Sequence, residues 1–297
     1  MSVNGSTEIA TASTPRSAHQ VDLHTHSTTS DGMLTPAELV RAATRQGLRV
    51  LGLTDHDTIG GLAEATAEAA SAGLELVPGV ELGTDVGKHE VHILGYFIDP
   101  GNPDFLRDLN TLAHQRIERI QRMVERLTDT GVPVSWDEVR TASGSGTIGR
   151  VHIANVLIGQ GRATSVNDAF DRYLAPGRPG YVPRQKFDPE TAVGIILRAG
   201  GVAVLAHPFS TGDIEGILNR LVPAGLKGME VYYGEYSPAR REELRGIADR
   251  WQLIPTGGSD FHGPGFKPGR DLGGPPVPME SVERLREAAA SRTSVQG

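Results

Sequence analysis

The sequence predicts an α/β fold in which roughly seven parallel strands close into a barrel that is broken once by a helical insertion. Two observations predict it. Short apolar segments alternate with amphipathic ones from Val21 to Asp99 and again from Asp188 onward, whereas residues 100–182 keep a helical period throughout. Parallel strands need long crossovers, and the alternating segments supply them.

The elements follow in order. Residues 1–20, rich in Ser, Thr and Ala without apolar period, read as a disordered tail. VDLHTH reads as a strand, and TPAELVRAATRQG as a helix opened by Thr35 and Pro36, whose hydroxyl and fixed φ suit a first turn. RVLGLTDHD is a strand, IGGLAEATAEAASAG a helix, and LELVPGVELGT and VHILGYFID are strands. The rhythm then breaks. One long helix over 103–130 carries Leu106, Leu109, Ala113, Ile117, Ile120, Val124 and Leu127 on one face and ends at Gly131. Ser135 and Glu138 are spaced as a capping box for the next helix, and further helices follow at 150–159 and near 165–174. From Asp188, three helix-to-strand units end in VAVLAHP, LKGMEVYY and LIPTGGSDFHG. The barrel is thereby assigned to 21–99 and 183–297, and the insertion to 100–182.

Composition narrows the function. A chain of 297 residues, 38% hydrophobic and 22% charged, has the makeup of a soluble globular protein and can bury a sizeable core. No long apolar run and no charged-then-apolar leader is visible, so neither a membrane span nor a signal peptide is expected and the cytoplasm is the default location. Zero cysteines exclude disulfides and thiolate sites. Any metal must then be held by imidazole and carboxylate, a donor set suited to Mn, Fe or Zn. Net charge of −7 argues against a broad nucleic-acid surface but leaves room for a basic pocket. Ten basic and ten acidic residues fall in 99–182, so this stretch is neutral and the remainder carries the whole −7. A less acidic lid over an acidic body suits an anionic substrate.

Functional groups in such folds gather where strands end, and the polar residues here obey that placement repeatedly. His24 and His26 alternate on one strand, so both point to the same face. Asp55, His56 and Asp57 end the next strand, Glu81 follows LVPGV, His92 lies in EVHILGY, His207 ends VAVLAHP, and Asp260 and His262 end the last strand. Each alone reads as an ordinary hydrogen-bonded group; six of ten histidines at one edge do not. Asp57 before Thr58 reads equally as the N-cap of the following helix. His89 reads as solvent-exposed, His19 as part of the tail, and His114 as structural or part of the lid.

DLHTHSTTSDG, GLTDHDT, PGVELGT, VHILGY, VLAHP and GGSDFHG, in this order and spacing, resemble the successive motifs of the PHP (polymerase and histidinol phosphatase) superfamily, and within it the stand-alone phosphoesterases of nucleoside phosphates and short oligonucleotides. The resemblance covers nearly the whole chain from residue 21. It implies a distorted (β/α)7 TIM-like barrel with a trinuclear site, two to three divalent ions of Mn, Fe or Zn. It also implies that His24, His26, Glu81 and Asp260 hold one ion, that Glu81 bridges to a second completed by His92 and His207, and that Asp31, His56 and His262 hold a third. Asp31 stands where some relatives have a histidine, which favours a harder ion.

Phosphate chemistry explains such a site, because a phosphomonoester dianion repels hydroxide until several positive charges neutralise its oxygens. The expected reaction is hydrolysis of a phosphomonoester of a nucleotide or nucleoside bisphosphate by metal-activated hydroxide, with His207 or Asp260 assisting the leaving oxygen. Arg150 and His152 fall at a helix start, where backbone N–H groups also favour phosphate, and Arg150 and Arg184 resemble family phosphate contacts; these three are the expected substrate contacts. Arg178 and Lys186 read as surface charge. The alternatives are a 5′-3′ exonuclease on short oligonucleotides and a histidinol-phosphate-type phosphatase. A non-catalytic polymerase module is disfavoured, since no polymerase sequence is present. No membrane or protein partner is expected.

Overall fold

The computed structural model describes residues 20–87, 89–144, 146–183 and 188–293. The proposed tail, Arg184 and Lys186 therefore fall outside the described residues, Gln20 excepted. Seven strands, β1 (Val21–Thr25), β2 (Val50–Leu53), β3 (Glu75–Val86), β4 (His89–Tyr96), β5 (Val202–Leu205), β6 (Gly228–Tyr233) and β7 (Ile254–Gly258), pair in chain order. The ring is nearly closed: Asp260 N donates to His24 O at 2.8 Å and His26 N to Phe261 O at 2.9 Å, joining the last strand to the first. This is the expected barrel with one correction. β4 is antiparallel to both neighbours, because residues 87 and 88 alone separate the pair Val86 and His89. Two residues make a hairpin and cannot make a crossover.

Helices α1 (Pro36–Gln46) and α2 (Leu62–Ala72) cover the first half of the ring, and α7 (Pro189–Arg198), α8 (Ile214–Ala224) and α9 (Pro238–Arg250) the second. Thr35 caps α1 reciprocally with Glu38, and Asp188 accepts from Thr191 N to start α7. Apolar side chains of these five helices and the first turns of α3 (Pro103–Asp129) form one core with the strands. A second core gathers the starts of the parallel strands, Val21, Val50, Val202 and Ile254, with Val282 and Leu285 of α10 (Met279–Thr293). Thus α10 plugs the end of the barrel opposite the strand ends that carry the histidines.

Between β4 and β5 lie α3, α4 (Trp136–Ser143), α5 (Arg150–Gly159), α6 (Val166–Ala169) and a π-helical turn, Phe170–Leu174. The capping box at Ser135 and Glu138 is formed. A third core, Ile120 to Leu127 with Val139, Ile153, Leu157 and Leu174, holds these pieces together. Because α3 has 27 residues, about 40 Å, its first half packs on the barrel and its second on this smaller core. Its apolar face differs from the expected one: Leu106 and Ile117 are exposed, and Phe105, Leu112 and Met123 are buried instead. The face turns along the helix as the partner changes from strands to α5.

Candidate metal centre and active site

Closure of the ring assembles the site. The backbone bonds that join the residues after β7 to His24 and His26 set Asp260 and His262 beside them, and the His24 and His26 rings lie 5.2 Å apart. Glu81 of β3 stands at the centre, buried, with five imidazoles around one carboxylate. Its Oε2 lies 3.1 Å from His24 Nε2, 3.2 Å from His26 Nε2 and 3.4 Å from His56 Nδ1; its Oε1 lies 2.7 Å from His92 Nδ1 and 3.2 Å from His207 Nε2. Because β4 is antiparallel, it delivers His92 from its first half to the edge that the parallel strands reach with their ends.

Three groupings of donor atoms result: His24, His26, Glu81 and Asp260; His26, Asp31, His56 and His262; and His56, Glu81 and His92. All nine residues expected to ligate metal thus come together, with His207 joined through Glu81. Asp31 arrives on the turn after β1, with Oδ1 3.3 Å from His262 Nε2. That turn is fixed by Asp55, which accepts from Ser27 N at 2.8 Å, Ser27 Oγ at 2.7 Å and Ser30 Oγ at 2.6 Å. Asp55 is therefore a loop anchor. Two of the candidate ligands hold φ values that non-glycine residues seldom adopt, His207 at +27° and Asp260 at +54°. Such backbone costs about 1–3 kcal/mol and persists only where the surroundings enforce it.

The donor set fits divalent ions. Nδ1 and Nε2 of His26, Nδ1 of His56 and Nε2 of His92 are buried without a hydrogen-bond partner, which costs free energy unless something positive and Lewis-acidic completes them. Electrostatics agrees. Burial opposes charge on His26, but Asp260 and Glu81 beside it push its pKa up to about 10. Burial likewise opposes charge on His24, and Glu230, Glu81 and Asp260 raise it well above the imidazole range. His56 goes the other way, to about 3, because burial outweighs Glu81 and Asp31. The carboxyls of Glu81, Asp31 and Asp260 are held well below their usual range, since neighbouring cations overcome the effect of burial. With protons as the only counter-charge, His24 and His26 carry what a metal would otherwise supply.

Asp260 is also gripped from behind. Arg270 Nη1 and Tyr233 Oη each lie 2.7 Å from its Oδ2, and Arg270 Nε is 2.7 Å from Glu235. An anion so held is suited to ligation and not to giving a proton to a leaving group. His207 places Nδ1 2.9 Å from Ser210 Oγ and lines the adjoining cavity.

This cavity, about 400 Å3, is floored by the candidate metal ligands and walled by Arg116, Arg119, Arg150 and Phe170 of the insertion and by Phe266, Lys267 and Arg270 of the loop after β7. Arg150 lies over the Phe170 ring, 4.9 Å from its centroid, and its Nη2 donates to Glu90 at 2.8 Å. His152 does not line the cavity: its buried ring accepts from Gly149 N at 2.9 Å and caps its own helix. Asp57 does not cap α2, where Gly61 stands; it accepts from Arg116 Nε at 2.8 Å and Nη2 at 2.5 Å, tying α3 to the loop of His56. His89 is half-buried, its ring beside Gly212, and His114 is exposed on α3. Arg178 is exposed. Sequence reasoning missed Glu230, Arg270 and Arg116. A lone carboxylate inside the apolar strand GMEVYY was the available signal for Glu230; the two arginines, on a long helix and a Gly/Pro-rich loop, had none.

A PHP domain family model matches residues 22–175. A 3′,5′-nucleoside bisphosphate phosphatase of Chromobacterium violaceum is 41% identical over 258 residues, covering 85% of this chain and 90% of its own. The 5′-3′ exoribonuclease Rnm of Escherichia coli is 39% identical over 249 residues, covering 82% and 85%. Among solved structures, an amidohydrolase from Chromobacterium violaceum with bound sulfate and no metal matches with a TM-score of 0.83 at 38% identity, over 91% of this chain and 96% of that one.

Proposed function

The chain belongs to the PHP domain family and is a metal-dependent phosphoesterase, and from that premise we propose that it removes a phosphate from a nucleoside 3′,5′-bisphosphate. The observation that carries this reading is the cavity, whose wall brings cations from two parts of the chain beside the candidate ligands: Arg116, Arg119 and Arg150 on the insertion, Lys267 and Arg270 on the loop after β7. A substrate with one phosphate at the cluster and a second some distance away uses both features. A volume near 400 Å3 suits a single nucleotide.

His24, His26, Glu81 and Asp260 would hold one ion, His92 and His207 with Glu81 a second, and Asp31, His56 and His262 a third. Two to three ions of Mn, Fe or Zn suit nitrogen and oxygen donors without sulfur. When bound, they supply the positive charge that neutralises phosphoryl oxygens and a nucleophile at neutral pH. The chain's own groups do the rest. Arg150 spends one of its five donors on Glu90 and holds the remote phosphate, with the insertion acting as a lid. Phe170 and Phe266 exclude water and offer faces to a base. Asp260 stays ionised, and of the two residues expected to assist departure, His207 remains at the cavity wall.

A second reading, trimming of short oligonucleotides from the 5′ end, is favoured by the identity to the exoribonuclease. Phosphate release with Mn2+ over a panel of mononucleotides, a 3′,5′-bisphosphate, histidinol phosphate and a short RNA separates them. The bisphosphate should give the highest kcat/KM. Faster cleavage of the RNA would replace the bisphosphatase reading with the nuclease one, and preference for histidinol phosphate would remove both.

A further inference from the structure

Glu230 of β6 is fully buried, and neither an ion grouping nor the cavity includes it. Its two oxygens are committed to two different parts of the cluster. Oε1 lies 3.0 Å from His24 Nδ1, and Oε2 accepts from the backbone N–H of His207 at 2.7 Å. We propose that Glu230 is a positioning residue that sets two metal sites at once, by fixing the ring of His24 and the backbone of His207; this rests on the metal-cluster reading above.

The chemistry of the contacts carries it. A carboxylate only accepts, so His24 must present Nδ1–H to it, which leaves Nε2, on the side of Glu81 and Asp260, as the nitrogen that gives up its proton to ligate. The second contact meets a different need. His207 sits at φ +27°, ψ +64°, where a side chain is unfavourable, and the bond to Glu230 holds its N–H in the turn that carries the ring toward Glu81. Only a group with two acceptors serves both partners. Glutamine, of nearly the same shape, would face either His207 N–H or His24 Nδ1–H with an amide NH2, donor against donor. The first grouping and the His207 side of the cluster would then loosen together, although neither loses a ligand.

The test compares wild type, Glu230→Gln and Glu230→Asp, each stripped with chelator and titrated with Mn2+ by calorimetry, with circular dichroism to establish folding. Outer carboxylates of this kind typically change metal affinity by about 10–100-fold. Glu230→Gln should therefore keep its dichroism but bind Mn2+ at least tenfold more weakly, with a smaller rise in melting temperature on metal addition than wild type shows. Glu230→Asp keeps the charge but is too short to span both partners and should lie between. Wild-type affinity in folded Glu230→Gln would overturn the positioning role while leaving the metal reading intact. Should wild type itself take up no Mn2+, the metal reading falls and this proposal with it. If Glu230→Gln does not fold, Glu230→Asp decides: unaltered Mn2+ affinity in it overturns the proposal, and weakened affinity with wild-type dichroism supports it.

Discussion

At the scale of single residues, Glu81 carries more than any other group, because its two oxygens divide five imidazoles between them. Glu81→Ala should abolish turnover and lower bound metal together, measured by phosphate release and elemental analysis of the same preparation; a variant keeping most of its rate would end the bridging role. Protonation gives a second expectation. His24 and His26 are raised above the ordinary imidazole value of 6.5, His26 to about 10, so both are protonated at neutral pH in the metal-free chain and must each release a proton to ligate. Affinity for Mn2+ should therefore climb as pH rises from about 6 toward 9, with calorimetric heats that depend on the ionisation enthalpy of the buffer. A flat profile would mean the rings are already neutral. The nine candidate ligands that the structure brings together were legible in the sequence because strand ends collect function and because their motifs resemble a family. Glu230 and Arg270 were not, since their partners are 206 residues away for Glu230 to His24 and across a loop for Arg270 to Asp260, distances no local pattern encodes.

Among elements, the insertion brings α3 and α5 to the cavity wall, which in the proposed reading is its contribution to substrate binding. Arg150 opens α5 with its guanidinium between Phe170 and Glu90, so its loss removes a cation from the cavity without touching a metal ligand. Arg150→Ala should cost about 2–3 kcal/mol in kcat/KM for a 3′,5′-bisphosphate, the scale of a charge-assisted hydrogen bond, with metal content unchanged. A small aryl phosphate, which has no remote group, should lose much less. Equal losses would place Arg150 at the transferred phosphate instead. The alternation of strands and helices was readable because apolar period differs between them, but strand direction is carried by a different signal, the spacing between strands. β3 and β4 are separated by two residues, too few for a crossover, so the antiparallel pair was present in the sequence spacing. The exposed Leu106 and Ile117 had no such signal. Which face of a helix is buried depends on the surfaces it meets, and α3 meets two.

For the whole molecule, charge balance makes substrate binding conditional. The cavity holds five acidic residues, Asp31, Glu81, Glu90, Glu235 and Asp260, against five basic ones, Arg116, Arg119, Arg150, Lys267 and Arg270. Fixed side-chain charges cancel there, in a chain that is acidic overall. Bound divalent ions tip the balance, so inorganic phosphate should raise the melting temperature of the Mn2+-loaded protein and do so at least tenfold more weakly, in concentration, with chelator present. Equal protection in both conditions would show that the arginines alone suffice. The junction of β7 with β1 has a consequence in time as well as in space. His24 and His26 are made near the beginning of synthesis and Asp260 and His262 near its end, and nothing short of ring closure brings them together. A chain growing from the ribosome therefore completes two of its three donor groupings only when its last strand emerges, whereas His56, Glu81 and His92 are all made earlier. Metal uptake at the groupings that use Asp260 and His262 would then come late in maturation, and a chain cut short before Ile254 should bind less metal than the full chain.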